Sequence, residues 1–519
     1  IIEQLNKLIE ISIALSKEQP QEELLEMILR GAKSMTNADG GTLYLINDDA
    51  IEMSIIHSTS LNIHLGGTSG TPINLPHIPI YLEDGLPNYK NVVSYAYHHN
   101  QAVNIPDAYN NTLFDFSGAQ EFDKFNKYHS KSFLAIPLKN HENDTIGILQ
   151  LINALDPKSQ DIIEFDSISM HFTEALASQA AMVLTKQRLI KGLEEMFDSL
   201  IELIATAIDD KSPYTGGHCR RVPELTSLIA EAAHNSQSEY LKDFNLTDAD
   251  RYQLTVAGWL HDCGKLTTPE YVVDKATKLE TIYDRLETIE TRFEVLKRDA
   301  EIELLKQKID ALQSNTTVNT QIYDSTLKNL DDDLSFIQNC NTGSEFMPPE
   351  AQERIIKIAQ KTWLKAGEVK AALSADEVLN LNISRGTLTE PERGIIQQHM
   401  ATTISMLDKI NFPKHLQNVP EYAGAHHERM DGNGYPNKLT REQMSIPARA
   451  MAIADVFEAL TAADRPYKEP KKLSEALFIL EKMKQANHID PDIYDAFIQE
   501  KVYLIYARKF LNDFQIDID

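Results

Sequence analysis

Apolar and polar positions follow two rhythms along this chain. Over "IEQLNKLIEISIALSKEQPQEELLEMILRGAKSM" apolar residues recur at three- and four-residue steps, which predicts an amphipathic helical opening. "GTLYLI", "IEMSIIHS", "SFLAIPL" and "TIGILQLIN" then read as strands between loops rich in Asn, Gly, Pro and Asp. Residues 1–165 are therefore expected to form an α/β domain. From Asp166 to residue 210 a helical pattern runs on unbroken. Val183, Ile190, Phe197 and Ile204 are seven apart, and Leu193, Leu200 and Ala207 form the interleaved row. Such a heptad seam either packs on the helix's own domain or forms a two-stranded coiled coil. Its place between two domains favours the coiled coil, and with it a homodimer.

From Lys211 the pattern is strongly helical. Residues 211–275 and 381–519 read as one all-α domain, and 276–380 as an insertion within it. In the insertion Leu279, Ile282, Leu286, Ile289, Phe293 and Leu296 keep heptad spacing. After the polar breaker "SNTTVN", Tyr323, Leu327, Leu330, Leu334 and Ile337 do the same. Two such helices predict an antiparallel hairpin. Gating, dimerisation and partner binding are all open as its role.

Composition changes the picture in three places. The chain has 519 residues, 42% of them hydrophobic and 24% charged, enough for two or three globular domains. A net charge of −27 argues against general binding to nucleic acid or anionic membranes. It leaves room for a small anionic ligand at a local cationic or metal-filled site. Three cysteines, Cys219, Cys263 and Cys340, stand at no zinc-like spacing and suit a reducing cytoplasm. No apolar run reaches the length of a membrane span, and no signal peptide is visible. The chain begins "IIEQLNKL" without a methionine, as a fragment would.

The candidate chemistry lies in the helical part. In "LTDADRYQLTVAGWLHDCGK", Thr247 and Asp250 predict a capping box, and Gly264 reads as the helix terminator. His261 and Asp262 then fall in the last turn of a largely apolar helix. Burying a carboxylate there is costly unless donors or a cation compensate it. Lys265 would serve as a plain ion-pair partner, and a metal ion is the other solution. In "TEPERGIIQQHMATTISML", Thr389 and Glu392 predict a second capping box, and His399 shares the inward face with Ile395, Ile396 and Thr403. Asp455 sits among Met451, Ile453, Ala454, Val456 and Phe457, and His218 follows a Gly-Gly turn. His426 and His427 open "HHERMDGNGYP", residues 426–436. A histidine pair means little alone, because "YHHN" repeats it at His98 and His99 without acidic neighbours.

Singly, each of these residues fits a helical core or surface. Together, five histidines and two aspartates suit Fe, Mn, Zn or similar ions. Seven ligands are too many for one tetrahedral ion, whereas two ions sharing a bridging carboxylate fit. Ions roughly 3.5–4 Å apart can activate water and stabilise the leaving oxygen of a phosphodiester.

"HDCGK" resembles the metal motif of the HD phosphohydrolase superfamily. "HHERMDGNGYP" closely resembles the HHExxDGxGYP motif of its HD-GYP branch, bacterial phosphodiesterases that cleave cyclic di-GMP. The resemblance covers roughly Ile201 to Ile505 apart from the insertion. It implies an all-α HD-type phosphohydrolase domain holding two divalent transition-metal ions, Fe or Mn. His218, His261, Asp262 and Asp455 would hold one. Asp262 would bridge to a second, held by His399, His426 and His427. Lys265 would act beside Asp262 as the second catalytic residue, contacting the scissile phosphate or protonating the leaving group. Arg465 and Lys468, in "DRPYK", would grip the ligand's phosphates and guanine. Asp431, Gly434, Tyr435 and Pro436 would shape the loop or meet a partner, for which a diguanylate cyclase is one candidate.

This sequence departs from the family in three ways. Some members place a third-metal glutamate where Tyr214 stands here. "TAADRPYK" is one residue longer than the commonest spacing, which leaves the roles of Arg465 and Lys468 open. Residues 276–380 intervene between His261 and His399, although "VVDKATKLE" and "ISRGTLTEPERGIIQQH" look like two pieces of one linker.

The N-terminal domain resembles a GAF sensor in strand order and exit helix. Cyclic-nucleotide-binding GAF domains carry an Asn-Lys…Phe…Asp-Glu motif. This chain has Asn153, Phe165 and Asp166, but Ala154 and Ser167 at the Lys and Glu positions. A cyclic nucleotide is therefore not expected there, and the domain binds an unknown small ligand or none. The whole reads as a cytoplasmic, sensor-regulated phosphodiesterase that converts cyclic di-GMP to pGpG, with GMP after a second cut. Its rivals are a hydrolase of another cyclic dinucleotide, such as cyclic GMP-AMP, and a non-catalytic module that binds the ligand or docks a partner.

Overall fold

A computed structural model describes residues 2–17, 19–47, 50–211, 217–343, 346–463 and 470–518. They fall into two compact units, Ile1–Met196 and Phe197–Asp519.

In the first unit the expected helical opening is two helices, Ile2–Leu15 and Gln21–Thr36. Pro20 stands at the N-cap of the second, where its missing N–H costs no helical bond. The sheet is antiparallel throughout its described pairs. Its strands are β1 (Ala38–Asn47), β2 (Ala50–Ser58), β3 (Ile63–Gly66), β4 (Ile78–Pro79), β5 (Val103–Ile105), β6 (Phe133–Lys139), β7 (Thr145–Leu155) and β8 (Ile162–Ile163). The order is β3-β2-β1-β7-β6-β5, with β4 on β2 and β8 on β7. The four long strands are those the alternating pattern predicts. Leu24, Ile28 and Ala32 pack with Leu43, Leu149 and Leu176 in one core layer. Tyr44, Val93, Phe133 and Ile148 build a second. A cavity of about 610 Å³ adjoins the second layer, with Tyr44, Phe116, Tyr128, Phe133 and Gln150 in its wall.

Asn153, Phe165 and Asp166 make internal structural contacts. Asn153 accepts the Lys131 N–H at 2.8 Å and donates to the His129 carbonyl at 2.8 Å. Phe165 is buried, and Asp166 caps the next helix by accepting the N–H groups of Ile168 and Ser169. His98 and His99 bond the carbonyls of Ile80 and Tyr95.

That next helix runs unbroken over Ser167–Lys211. Its seam residues Ile190, Leu193, Leu200 and Ile204 are 45%, 60%, 48% and 37% exposed. Val183 and Phe197, by contrast, are partly buried against the cores of the first and second units respectively. Among the described residues no helix is long and apolar enough to cross a membrane.

The second unit has one large helical core, to which the helices His218–Asn235, Asp248–Leu260 and Ile446–Thr461 all contribute. The insertion has its own small core of Leu279, Phe293, Leu330, Ile337 and Leu373 among others. Helices Leu286–Ser314 and Gln321–Asn341 run antiparallel, cross-linked by Lys297–Asp331 at 2.6 Å and Gln338–Glu290 at 2.8 Å.

Two expectations need correction. Ile282 is outside the helix and 95% exposed, because the Glu280 carboxylate accepts the Ala276 and Thr277 N–H groups and folds that stretch into a turn. The insertion is also more than a helical hairpin. It includes a helix, Pro349–Ala359, and antiparallel strands β9 (Thr362–Lys365) and β10 (Glu368–Ala371). Ala366 and Gly367, at φ 51° and 86°, supply the two left-handed positions a tight hairpin turn demands.

Two buried lysines draw the ends of the insertion together. Lys275 donates to Asn380 at 2.8 Å and to the Glu392 carboxylate at 2.8 and 2.9 Å. Lys278 donates to the carbonyls of Leu381 and Ile383 at 3.1 and 2.8 Å.

Candidate metal centre

Each predicted ligand is positioned by a short local device. His218 opens the His218–Asn235 helix after Gly217, whose φ of 80° turns the chain into it. The predicted capping box at Thr247 and Asp250 starts the helix that delivers His261. That helix ends at Leu260, ahead of Gly264, and Gly264 is not left-handed. Its reading as the helix terminator is thus corrected. A Cβ on Gly264 would stand 2.0 Å from the His399 carbonyl oxygen and 2.7 Å from the Thr403 nitrogen. Glycine lets the turn after Asp262 lie directly on the Glu390–Leu407 helix, where the Thr403 hydroxyl accepts the Gly264 N–H at 2.9 Å. Thr389 and Glu392 form the second predicted capping box. His426 and His427 follow the short helix Val419–Gly424, and Asp455 is buried within Ile446–Thr461.

These devices bring all seven residues into one cluster, in which six are buried and His427 is partly buried. His218 Nε2 is 3.1 Å from His261 Nε2 and 3.3 Å from both Asp262 Oδ2 and Asp455 Oδ1. His261 Nε2 is 3.3 Å from Asp262 Oδ2 and 3.9 Å from Asp455 Oδ1. On the other side of Asp262, His399 Nε2 lies 3.4 Å from Oδ1. Donor atoms of Asp262, His399, His426 and His427 all lie within 4.8 Å of one another, and so do those of His218, His261 and Asp262. Asp262 is common to both groups. His427 also approaches Asp455, Nδ1 to Oδ2, at 3.9 Å.

The donor atoms fit cations. Asp262 Oδ1, His399 Nε2 and His426 Nε2 are buried without a hydrogen-bond partner among the described residues. Leaving such a group unsatisfied costs about 1–3 kcal/mol. His261, His399 and His426 each place Nδ1 on the carbonyl of the residue three positions earlier, Gly258, Ile396 and Ala423. That bond fixes the proton on Nδ1 and turns the Nε2 lone pair into the cluster. Imidazole and carboxylate donors of this kind suit metal ions.

Charge balance agrees with the geometry. Burial pushes the pKa of His426 well below the imidazole range, with His427 and His261 adding to the effect. Burial also lowers that of His427, to about 4, against the pull of Asp455. Both imidazoles are neutral at pH 7. Burial works against the charge on Asp262, but Lys265 and His261 outweigh it and hold the carboxyl well below its usual range. Burial likewise opposes the charge on Asp455, but His218 beside it outweighs that and holds the carboxyl well below its usual range. Lys265 Nζ donates to Asp262 Oδ2 at 2.6 Å, so the plain ion-pair partner foreseen for Asp262 is present too. That pair leaves Oδ1 unmatched.

Two residues escaped the sequence reading. Glu458, buried one helical turn after Asp455, accepts from His218 Nδ1 at 2.5 Å and from Arg221 Nε at 2.8 Å. Burial opposes its ionisation, yet His218 and Arg221 bring its pKa down to about 2. It aims His218 as an outer carboxylate aims a ligand histidine. Its three-residue spacing from Asp455 was the available signal. Glu428, also buried, accepts the N–H groups of Asn437 at 2.7 Å and Leu439 at 3.0 Å and so closes the loop around itself. A Cβ on Gly434 would stand 2.4 Å from the Glu428 Cα, so this closure needs glycine.

The rest of the loop does not enter the cluster as ligands. Asp431 accepts the Asn433 N–H at 2.9 Å and pairs with Arg429 at 2.9 Å. Tyr435, joined to Pro436 by a cis peptide, stacks on His427 with ring centroids 4.9 Å apart. A cleft of about 620 Å³ opens beside His427 and Asp455, lined by Arg393, Gln397, Arg429 and Tyr435 among others. Arg465, Lys468 and Tyr214 lie outside the described residues.

Fold and site together define a two-part protein, an α/β domain on an antiparallel sheet joined by a long helix to a helical domain with a His/Asp cluster. Residues 20–184 match the GAF domain family and residues 372–493 the HD domain family. The chain thus carries a GAF domain and an HD domain, in that order. It is similar to a cyclic di-GMP phosphodiesterase of Pseudomonas aeruginosa, 38% identical over 24% of this chain and 28% of that protein. It is similar also to a 3'3'-cGAMP-specific phosphodiesterase of Vibrio cholerae, 33% identical over 28% of this chain and 31% of that protein. Each alignment spans less than a third of the relative's length. Among solved structures, the GAF domain of a Coxiella burnetii phosphoenolpyruvate-protein phosphotransferase matches 37% of this chain and 98% of that one, at 14% identity and a TM-score of 0.29.

Proposed function

We propose that this chain is a metal-dependent phosphodiesterase that hydrolyses cyclic di-GMP to pGpG under the control of its GAF domain. The observation that carries the reading is the shared position of Asp262 between two groups of histidines, with Oδ1 buried and unmatched. His218, His261, Asp262 and Asp455 would hold one ion, and Asp262, His399, His426 and His427 the other, with Fe or Mn best suited. Bound, the pair supplies an activated water and positive charge for the phosphodiester. Lys265, already an ammonium beside Asp262, delivers a proton to the leaving oxygen. Arg393 and Arg429 give the neighbouring cleft its cationic side chains among the described lining residues, as a ligand with two phosphates requires. Such cations offset locally the chain's overall negative charge.

The test joins elemental analysis to product analysis. Protein purified without oxygen should carry close to two Fe or Mn per chain and convert cyclic di-GMP to pGpG. A preparation that binds neither ion and yields no pGpG on adding them would sink the hydrolase reading. The Vibrio relative's substrate is the one rival worth running beside it. Faster turnover of 3'3'-cGAMP would keep the chemistry and replace the substrate.

The active form is a homodimer in this reading, because Ile190, Leu193, Leu200 and Ile204 present one exposed apolar seam. Leu193→Glu with Leu200→Glu should convert dimer to monomer in sedimentation equilibrium. Unchanged mass would place the contact elsewhere or deny it. The buried, free Cys219 and Cys263 suit the reducing cytoplasm.

A further inference from the structure

We infer that Asp209 and Lys211, the last turn of the Ser167–Lys211 helix, are positioning residues for the metal cluster. The inference rests on the metal reading of the cluster but not on the identity of the substrate. Neither residue belongs to the cluster. Asp209 accepts the Gly217 N–H at 3.0 Å through Oδ2 and the Cys219 N–H at 3.3 Å through Oδ1. These are the two residues that flank His218. A carboxylate there satisfies open N–H groups and complements the positive end of the His218–Asn235 helix.

Lys211 works on the other ligand-bearing turn. Its ammonium donates to three backbone carbonyls, Lys265 at 3.0 Å, Leu266, and Thr268 at 2.7 Å. The same turn is closed by the Lys265 N–H on the Asp262 carbonyl at 2.8 Å. It thus sets both the bridging carboxylate and the ammonium that meets it. Three charge-assisted bonds from one side chain to one turn fix that turn far better than a single neutral bond would.

One helical turn therefore holds both sides of the first metal group, His218 through Asp209 and Asp262 through Lys211. Two residues apart on a helix, the side chains diverge by roughly 200°. That divergence lets one turn reach two separate ligand elements. A shift of this turn would move His218 and Asp262 together, and misplacing catalytic groups by about 1 Å costs on the order of a hundredfold in rate. The helix is the same one that leaves the GAF domain.

The test titrates Mn²⁺ into the full chain by calorimetry, a readout that does not need turnover. Asp209→Ala should weaken at least one of the two binding steps by about tenfold or more, the usual size for a partner of a metal ligand. Lys211→Met should do likewise through Asp262. Asp209→Asn keeps an acceptor and Lys211→Arg keeps the donors, so each should recover most of the lost affinity. Wild-type affinities in the Ala and Met variants would overturn the inference. So would losses that the Asn and Arg variants fail to recover. Should Asp209→Ala not fold, Lys211→Met and its Arg counterpart decide alone. If the wild-type chain binds two Mn²⁺ but cleaves no cyclic dinucleotide, the substrate reading fails while this test still stands.

Discussion

Asp262→Asn should abolish turnover, by about a thousandfold or more, and lower the metal content from two ions toward one or none. A thousandfold is about 4 kcal/mol of transition-state stabilisation. That is a reasonable demand on the one carboxylate common to both ligand groups. The substitution keeps the shape and removes the charge. Oδ2 now meets Lys265 and lies 3.3 Å from both His218 and His261 Nε2, while Oδ1 faces His399 Nε2 at 3.4 Å. An amide can offer a weak oxygen to one side only, and its NH₂ group repels any cation on the other. It also strips the partly buried Lys265 of its ion-pair partner, a further cost in a site this enclosed. The measurement is kcat on cyclic di-GMP beside elemental analysis of the same preparation. A variant that retains two ions and turns over near the wild-type rate would remove Asp262 from the bridging position.

The sequence made the site legible through cost. A carboxylate inside "AIADVF", an aspartate ending an apolar helix and histidines on inward faces are each expensive to bury unless something compensates them. Helix starts were legible for a similarly local reason. The capping boxes at Thr247 and Thr389 involve residues three apart and need no knowledge of the fold. Gathering by long-range contact was not legible. Glu458 meets His218 across 240 positions of chain, and its three-residue spacing from Asp455 does not by itself announce that partner. Lys275 and Lys278 look like solvent-facing charges in "DKATK", yet they are buried across the mouth of the insertion. The short strands β9 and β10 escaped because four-residue, mostly exposed strands carry little alternation to read. Gly264 shows the same limit, since a close approach to another helix leaves no mark on the glycine's own neighbours.

Gly264→Ala tests that last point and should be nearly as damaging as losing a ligand. The added Cβ would lie 2.0 Å from the His399 carbonyl oxygen and 2.7 Å from the Thr403 nitrogen. Both are backbone atoms in the middle of a helix, so no side chain can rotate aside. Clearing a 3.0 Å contact requires about 1 Å of separation between the turn and the helix, which is the scale of misplacement that costs on the order of a hundredfold in rate. The separation acts directly between Asp262 and His399, the 3.4 Å approach that joins the two ligand groups. It also pulls the Gly264 N–H from the Thr403 hydroxyl. The expected result is a loss of about a hundredfold or more in kcat/KM, with overpacking lowering stability by about 1–3 kcal/mol. Gly394→Ala is the proper comparison. It lies on the same helix, and nothing stands within 4 Å of its added Cβ. Alanine should there stabilise the helix by about 0.5–1 kcal/mol and leave turnover intact. If Gly264→Ala matched Gly394→Ala in activity, the contact between the Asp262 turn and the His399 helix would not be what assembles the cluster.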